Sequence, residues 1–287
     1  MKRRCKCITL ILSLLLLFSG LCFFTVYKSD FLYIGYEYFA RLTRNYQLQE
    51  ADVASFPMKT VSFSALAEAE GVTVDDSLML INEHYRIPDS HALELVDFGN
   101  RQVNICMLES LLLLEEHVLG LYGEELLIVS AYRDADHQQD VISTSKENVA
   151  AAIGASEHQC GLGLDVGVEG YGGRSFLKTY TGRHVNNHCF KYGFIIRYPL
   201  CSQNITGITY EPWHIRYVGV PHAEIIYKSG MVLEEYLEAL EIGTYYQYEG
   251  YLISRQDPNA IIIPEAFESC HLSYDNTGFC VVTVKMN

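Results

Sequence analysis

Glu211-Pro212-Trp213-His214-Ile215-Arg216-Tyr217-Val218-Gly219 is the stretch on which the fold turns. Tyr210 to Val218 reads as extended chain interrupted by Pro212, since proline brings no N–H to a sheet ladder. Upstream, Phe194-Ile195-Ile196-Arg197-Tyr198 is a strand that Pro199 ends, and Val185 to Tyr192 is a helix leading into it. Farther back, Asp134 to Ala152 reads as helix and Leu126-Leu127-Ile128-Val129 as strand. Leu111, Leu114, Val118 and Leu121 recur at helical spacing within Cys106 to Leu121, with Gly120 and Gly123 as stop signals. Leu78-Met79-Leu80-Ile81 is a short buried-strand candidate, ended by Asn82 and Pro88. Downstream, Glu234 to Leu240 is a helix. Helices and strands do not alternate regularly, so the expected class is α+β, with a mainly antiparallel central sheet flanked by helices.

The ends of the chain differ from this middle. Lys2, Arg3, Arg4 and Lys6 form a basic segment (residues 1–7) ahead of an apolar run over residues 8–27. About 20 apolar residues cross a hydrocarbon core roughly 30 Å thick. The positive cluster should stay in the cytoplasm, leaving the bulk of the chain outside. The expectation is therefore a single-pass signal-anchor in the cell membrane, with the remainder extracytoplasmic. A cleaved signal peptide is the rival, but the run is long and no clear A-x-A site precedes Lys28. A lipidation site at Cys22 is disfavoured by the large Leu21 before it. Residues 28–72 read as a stalk with some helix, and residues 73–242 as the main domain. From Gly243 short β runs, Pro258, Pro264 and the turn Asp275-Asn276-Thr277-Gly278 suggest a small C-terminal β appendage, residues 243–287.

With 49% hydrophobic residues in 287, the chain has material for one sizeable core. Its net charge of −14 argues against nucleic acid, because phosphate rewards a basic face. Cys5, Cys7 and Cys22 lie in or beside the apolar run. The other six, Cys106, Cys160, Cys189, Cys201, Cys270 and Cys280, include no C-x-x-C, so a cysteine zinc site is not expected. A hairpin centred on Asn276-Thr277 would set Cys270 opposite Thr283, which disfavours a Cys270–Cys280 bridge.

Three stretches carry chemistry: Ser130-Ala131-Tyr132-Arg133, Ser156-Glu157-His158-Gln159-Cys160-Gly161-Leu162-Gly163-Leu164-Asp165, and the opening run with Glu211 and His214. A catalytic zinc takes three protein ligands and leaves one position open, and two histidines with a carboxylate are a known set. His158, Asp165 and His214 supply that set, and Gly161 and Gly163 let the first two converge. Glu211, three residues before His214, is placed to serve as general base without ligating the metal. Arg133 would stabilise the negative oxygen of a tetrahedral intermediate. Each piece alone is common: a single histidine is usually a surface or core residue, and Trp213 and Tyr132 would by default line a core.

Together the stretches resemble the signature of VanY-type D-alanyl-D-alanine carboxypeptidases, within the LAS group of zinc metallopeptidases: S-x-H-x-x-G-x-A-x-D, then E-P-W-H-x-R-Y-V-G, with an upstream S-G-Y-R. Lys191 to Pro199, Thr206-Gly207-Ile208 and Leu233 to Tyr236 share the likeness, which spans about Ser77 to Tyr236. It implies one catalytic Zn²⁺ on His158, Asp165 and His214, Glu211 as base and Arg133 at the transition state. It further implies Ser156, Tyr132, Gln138 and Trp213 as substrate-binding residues. The implied substrate is a peptidoglycan precursor peptide ending D-Ala-D-Ala, with a role in glycopeptide (vancomycin) resistance or wall remodelling. Cys160, Gly163 and Ala131 replace the usual Thr, Ala and Gly; the last two look neutral, while Cys160 is either a thiolate that competes for the metal or a small buried filler. Two readings stay open beside this one: an L,D-carboxypeptidase acting on wall tetrapeptides, and a wall-binding module with a zinc-ordered pocket and no turnover. Chance motifs in a structural membrane protein are a third.

Overall fold

The computed structural model describes residues 29–88, 91–144 and 151–286. The basic segment 1–7 and the expected span 8–27 lie outside the described residues. Among the described residues no helix is long and apolar enough to cross a membrane.

Helix α1 spans Ser29–Thr43, followed by β1 (Gln49–Glu50), β2 (Met58–Val61), α2 (Phe63–Ala67) and β3 (Val72–Asp75). Strands β4 (Leu95–Phe98) and β5 (Arg101–Asn104) form a hairpin. Next come α3 (Leu108–Tyr122), β6 (Leu127–Ser130), α4 (Ala135–Thr144), β7 (Gly163–Gly167), α5 (Tyr180–His188), β8 (Phe194–Tyr198), α6 (Gln203–Thr206) and β9 (Glu211–Tyr217). Helices α7 (His222–Ser229) and α8 (Leu233–Ala239) lead to β10 (Tyr245–Tyr248), β11 (Tyr251–Gln256), β12 (Ile261–Pro264), β13 (Ser269–Tyr274) and β14 (Cys280–Lys285). Of the helix expected over Asp134 to Ala152, α4 covers the first part, and residues 145–150 lie outside the described residues.

The central sheet has the order β6-β7-β9-β8 and is antiparallel throughout, as expected for the α+β reading. Helix α3 buries Leu111, Leu114 and Val118 in the core beside Leu164, Val166, Val185 and Ile215. Leu121, expected on the same stripe, is exposed; the helix ends just after it, at Gly123 in the left-handed conformation. Register matters most for the site. Asp165 of β7 stands directly opposite His214 of β9, and opposite residues on an antiparallel pair bring side chains together.

Two expectations about the rest of the chain meet a different structure. Leu78 to Ile81 is buried but is not a strand. Its polar groups are taken by single partners: Leu78 N–H donates to Ser273 Oγ, Leu80 N–H to Asp275 O, and Met79 O accepts from Arg216 Nη2. The segment read as a stalk is folded together with the segment read as an appendage. A six-stranded sheet, β1-β10-β11-β14-β13-β3, takes its two outer strands from residues 49–75 and its four inner ones from residues 245–285. Strand β2 pairs with β12, and α2 covers the apolar face of this sheet with Phe63 and Leu66. In the last hairpin Cys270 faces Val284 and Tyr274 faces Cys280, one residue off the expected register, and all six described cysteines are free.

Candidate metal centre and its cleft

His158 sits in a single 3-10 turn, Glu157–Cys160, which Gly161 closes at φ 70°. A Cβ on Gly161 would stand 2.8 Å from Leu95 Cδ2 and 2.9 Å from Asn104 N, so only glycine lets the chain pass the β4–β5 hairpin and enter β7. The His158 Nδ1–H donates to Ala131 O at 2.8 Å, which turns the bare Nε2 toward Asp165 Oδ2, 3.4 Å away. His214 Nδ1 lies 3.0 Å from Asp165 Oδ1. The two imidazoles are nearly perpendicular, with centroids 4.9 Å apart. Ligand atoms of His158, Asp165 and His214 all fall within 4.8 Å of one another, and both histidines are buried.

Two acceptors facing each other across 3.4 Å, His158 Nε2 and Asp165 Oδ2, are a place for positive charge. The titration behaviour agrees. Burial would raise the Asp165 carboxyl, but His158 and His214 hold it far below the usual carboxylate range. Burial would also depress His214, yet hydrogen bonding to Asp165 and the nearby Glu157 lift it to about 9. The cluster thus retains a proton where a cation would otherwise sit, and metal binding would displace it. The residues present fit a divalent metal with N/O ligands.

A second carboxylate lies directly behind. Glu157 is fully buried; its Oε1 accepts from Arg197 Nε at 2.6 Å and Arg216 Nη1 at 2.7 Å. Its Oε2 has no hydrogen-bond partner and faces His214 Nε2, also unpartnered, at 3.7 Å, an ion-pair distance rather than a hydrogen bond. Arg197 is in turn clamped by both oxygens of Glu234, at 2.9 and 2.6 Å. A Cβ on Gly163 would lie 3.0 Å from both Glu157 Cβ and His214 Nε2, so the usual alanine would need these neighbours to give by a few tenths of an ångström.

The cluster floors a cleft of about 140 Å³ lined also by Arg133, Gln138, Ser156, Tyr198, Glu211 and Trp213. Burial, reinforced by Asp165, pushes the Glu211 carboxyl up to about 7 against the opposing pull of His214 and Arg133. Arg133 follows the end of β6; its N–H donates to His158 O at 3.1 Å, and its buried Nε has no partner. Gln138 is held by Nε2 donating to Ala151 O at 2.7 Å, while Oε1 is left free. Tyr132 is not part of the lining; its N–H donates to Gln102 O, which fixes the link between β6 and Arg133. Cys160 does not join the metal group. Burial pushes its thiol up to about 12, Sγ donates to Glu157 O at 3.0 Å, and it packs with Met79, Ile81 and Leu162 as a small core residue.

Sequence reasoning missed Glu157, Arg197, Arg216 and Tyr198. The signal available for the arginines was their place in the strands β8 and β9, where each is fully buried. A charge there demands a buried partner.

An antiparallel sheet that converges two imidazoles and a carboxylate beside a near-neutral glutamate and an arginine fits one class, a metal-assisted hydrolase. The family model VanY, described as D-alanyl-D-alanine carboxypeptidase, matches residues 117–220. A D-alanyl-D-alanine carboxypeptidase of Enterococcus faecium is 29% identical over 242 residues, covering 76% of this chain and 79% of the relative. The solved structure of the vancomycin-resistance D,D-dipeptidase VanXYg with a D-Ala-D-Ala phosphinate analogue has a TM-score of 0.64 at 26% identity, covering 79% of this chain and 99% of that one. The vancomycin-resistance D,D-pentapeptidase VanY from a VanB-type cassette, solved as a point mutant in complex with Zn(II), is 31% identical with a TM-score of 0.50, covering 56% of this chain and 98% of that one. The chain belongs to the VanY family of D-alanyl-D-alanine carboxypeptidases.

Proposed function

We propose that this chain is a zinc D,D-carboxypeptidase that removes the terminal D-Ala from peptidoglycan precursors ending D-Ala-D-Ala. The observation that carries the reading is one cleft holding a metal-fitting His158/Asp165/His214 cluster together with Glu211 and Arg133. Zn(II) in the solved VanY relative supports the choice of metal. His158, Asp165 and His214 would hold it. When bound, zinc polarises the scissile carbonyl and makes water a stronger acid.

The rest falls to the side chains of this chain. Glu211 accepts a proton from the attacking water as oxygen adds to the carbonyl carbon. It returns that proton to the amine of the departing D-alanine as the C–N bond breaks. A carboxyl raised toward neutrality suits this exchange in both directions. Arg133, with its Nε unpaired in the cleft, faces the charge that develops on the carbonyl oxygen. Ser156, Gln138 and Trp213 line the approach and bind the peptide; Tyr132 acts through the backbone that carries Arg133. A pure wall-binding module would need neither the base nor the arginine.

The same reading places the enzyme on the outer side of the cell membrane, tethered through residues 8–27, where lipid-linked and polymerised peptidoglycan lie. Shortening of the D-Ala-D-Ala terminus there connects the activity with glycopeptide resistance or wall remodelling. The test is to give the purified enzyme a pentapeptide ending D-Ala-D-Ala and, separately, the tetrapeptide. D-Alanine released from the pentapeptide alone is expected; release from the tetrapeptide alone would make it an L,D-carboxypeptidase.

A further inference from the structure

Helix α1, Ser29–Thr43, has two unlike faces. One is docked on the catalytic domain. Tyr33 Oη donates to Asn186 Oδ1 at 3.0 Å and to Arg183 O at 3.3 Å. Glu37 accepts from the Tyr210 hydroxyl, and Arg41 donates to Gly230 O at 3.0 and 3.2 Å and to Leu200 O. The other face exposes Leu32, Tyr36, Tyr38, Phe39 and Leu42, with Phe39 68% and Leu42 65% accessible. The acidic and basic residues of the helix, Asp30, Glu37 and Arg41, are none of them on that face; Glu37 and Arg41 are both engaged in the dock. A run of exposed aromatic and aliphatic side chains without charge is what proteins seldom present to water.

We propose that this outward face of α1 lies in the interfacial layer of the lipid bilayer, so that the catalytic domain is seated on the membrane rather than hung from it. Two observations select lipid as the occupant. The apolar run of residues 8–27 ends immediately before α1 begins, which delivers this helix to the membrane surface. Its exposed residues are of the type that gathers at the headgroup boundary, tyrosine with an apolar body and polar tip beside phenylalanine and leucine. The described helix is docked lengthwise on the catalytic domain through Tyr33, Glu37 and Arg41, so its outward face lies along the surface beside the domain.

Seating has a consequence for the reaction. Glu37 holds Tyr210, the residue before the base Glu211, and Asn186 links Tyr33 to Pro212 O through its own Nδ2 at 3.4 Å. The helix that meets lipid is therefore the one that braces the segment carrying the base. The mouth of the cleft keeps a set height over the bilayer, suited to a peptide whose other end is a lipid-linked precursor. This proposal rests on the membrane tether given above, and its test separates the two.

The full chain is reconstituted in vesicles of phosphatidylglycerol and phosphatidylcholine, some carrying bromine near the headgroup. Wild type has one tryptophan, Trp213, which supplies the baseline. In Phe39→Trp the added emission is blue-shifted and quenched by the brominated lipid. Phe39→Lys combined with Leu42→Lys lowers D-alanine release from vesicle-embedded lipid-linked pentapeptide several-fold and leaves release from soluble pentapeptide unchanged. A Phe39→Trp chain that pellets with the vesicles while its added emission stays unquenched overturns the proposal and spares the tether. Self-association of the full chain through this face, or cover by the chain's own first residues, gives that same unquenched result. A chain that does not pellet at all removes both readings.

Discussion

Replacing Glu157 with glutamine removes one negative charge from the layer beneath the metal cluster and nearly nothing else. Among the described residues the carboxylate is the only ion partner of Arg216, which is itself fully buried and otherwise bound only to the carbonyls of Ser77, Met79 and Tyr217. Arg197 keeps Glu234. The substitution thus strands one guanidinium rather than two, and removing one partner of a buried pair costs about 3–5 kcal/mol. A second effect reaches the metal. Glu157 Oε2 faces His214 Nε2, the ring nitrogen on the side away from Asp165, and supports of this kind are worth about 10–100-fold in metal affinity. Urea unfolding of the metal-free chain measures the first effect; zinc competition against a chromophoric chelator measures the second. The acid dependence supplies a further check. Burial opposes the Glu157 charge, but Arg197 and Arg216 hold its carboxyl well below the ordinary range. Its contribution is therefore complete above the unfolded value of about 4.3, and the gap between wild type and variant should close as pH falls below it. A variant as stable as wild type, binding zinc equally well, would mean that Glu157 supports neither Arg216 nor His214.

Three more outcomes follow from the cleft. Glu211→Ala should keep its zinc, as found by elemental analysis, and lose about 10²–10⁴-fold in D-alanine release; unchanged turnover would remove the base from the mechanism. Because Glu211 acts as a carboxylate and burial raises it to about 7, kcat/KM should rise with pH through an acid limb. A bound cation favours the charged form, so that limb should lie below 7 in the zinc enzyme; a profile with no acid limb would count against Glu211. Arg133→Ala should lower kcat by about 10²–10³-fold with little change in zinc content, whereas a loss confined to KM would make Arg133 a binding residue only.

What the sequence disclosed and what it hid divide along physical lines. That His158, Asp165, His214, Glu211 and Arg133 come together in one cleft was legible because the chemistry restricts residue types and the motifs keep them in order. Strand Phe194–Tyr198 was read residue for residue, since Gly193 and Pro199 bracket an apolar run. Glu157 was not legible as a support: an acid beside a histidine is usually solvated, and only the fold shows it closed in by two arginines. Leu78 to Ile81 was correctly apolar but misread as strand, because local pattern cannot reveal that Ser273, Asp275 and Arg216 supply its polar partners. The sheet uniting residues 49–75 with residues 245–285 was hidden for a similar reason. A strand as short as Gln49–Glu50 has no period to read, and its partner is at the other end of the chain. Tyr132 lay in a motif, yet it serves through its backbone while its neighbour reaches the cleft.

If His158, Asp165 and His214 hold one zinc, D-alanine release depends on that ion. Chelator-stripped protein titrated with zinc, with D-alanine release from a D-Ala-D-Ala pentapeptide followed at each addition, tests it most directly. No release is expected at the start, then a rise that saturates at one equivalent per chain, and no rise for His214→Ala. Full release by metal-free protein, or restoration in His214→Ala equal to wild type, would contradict it.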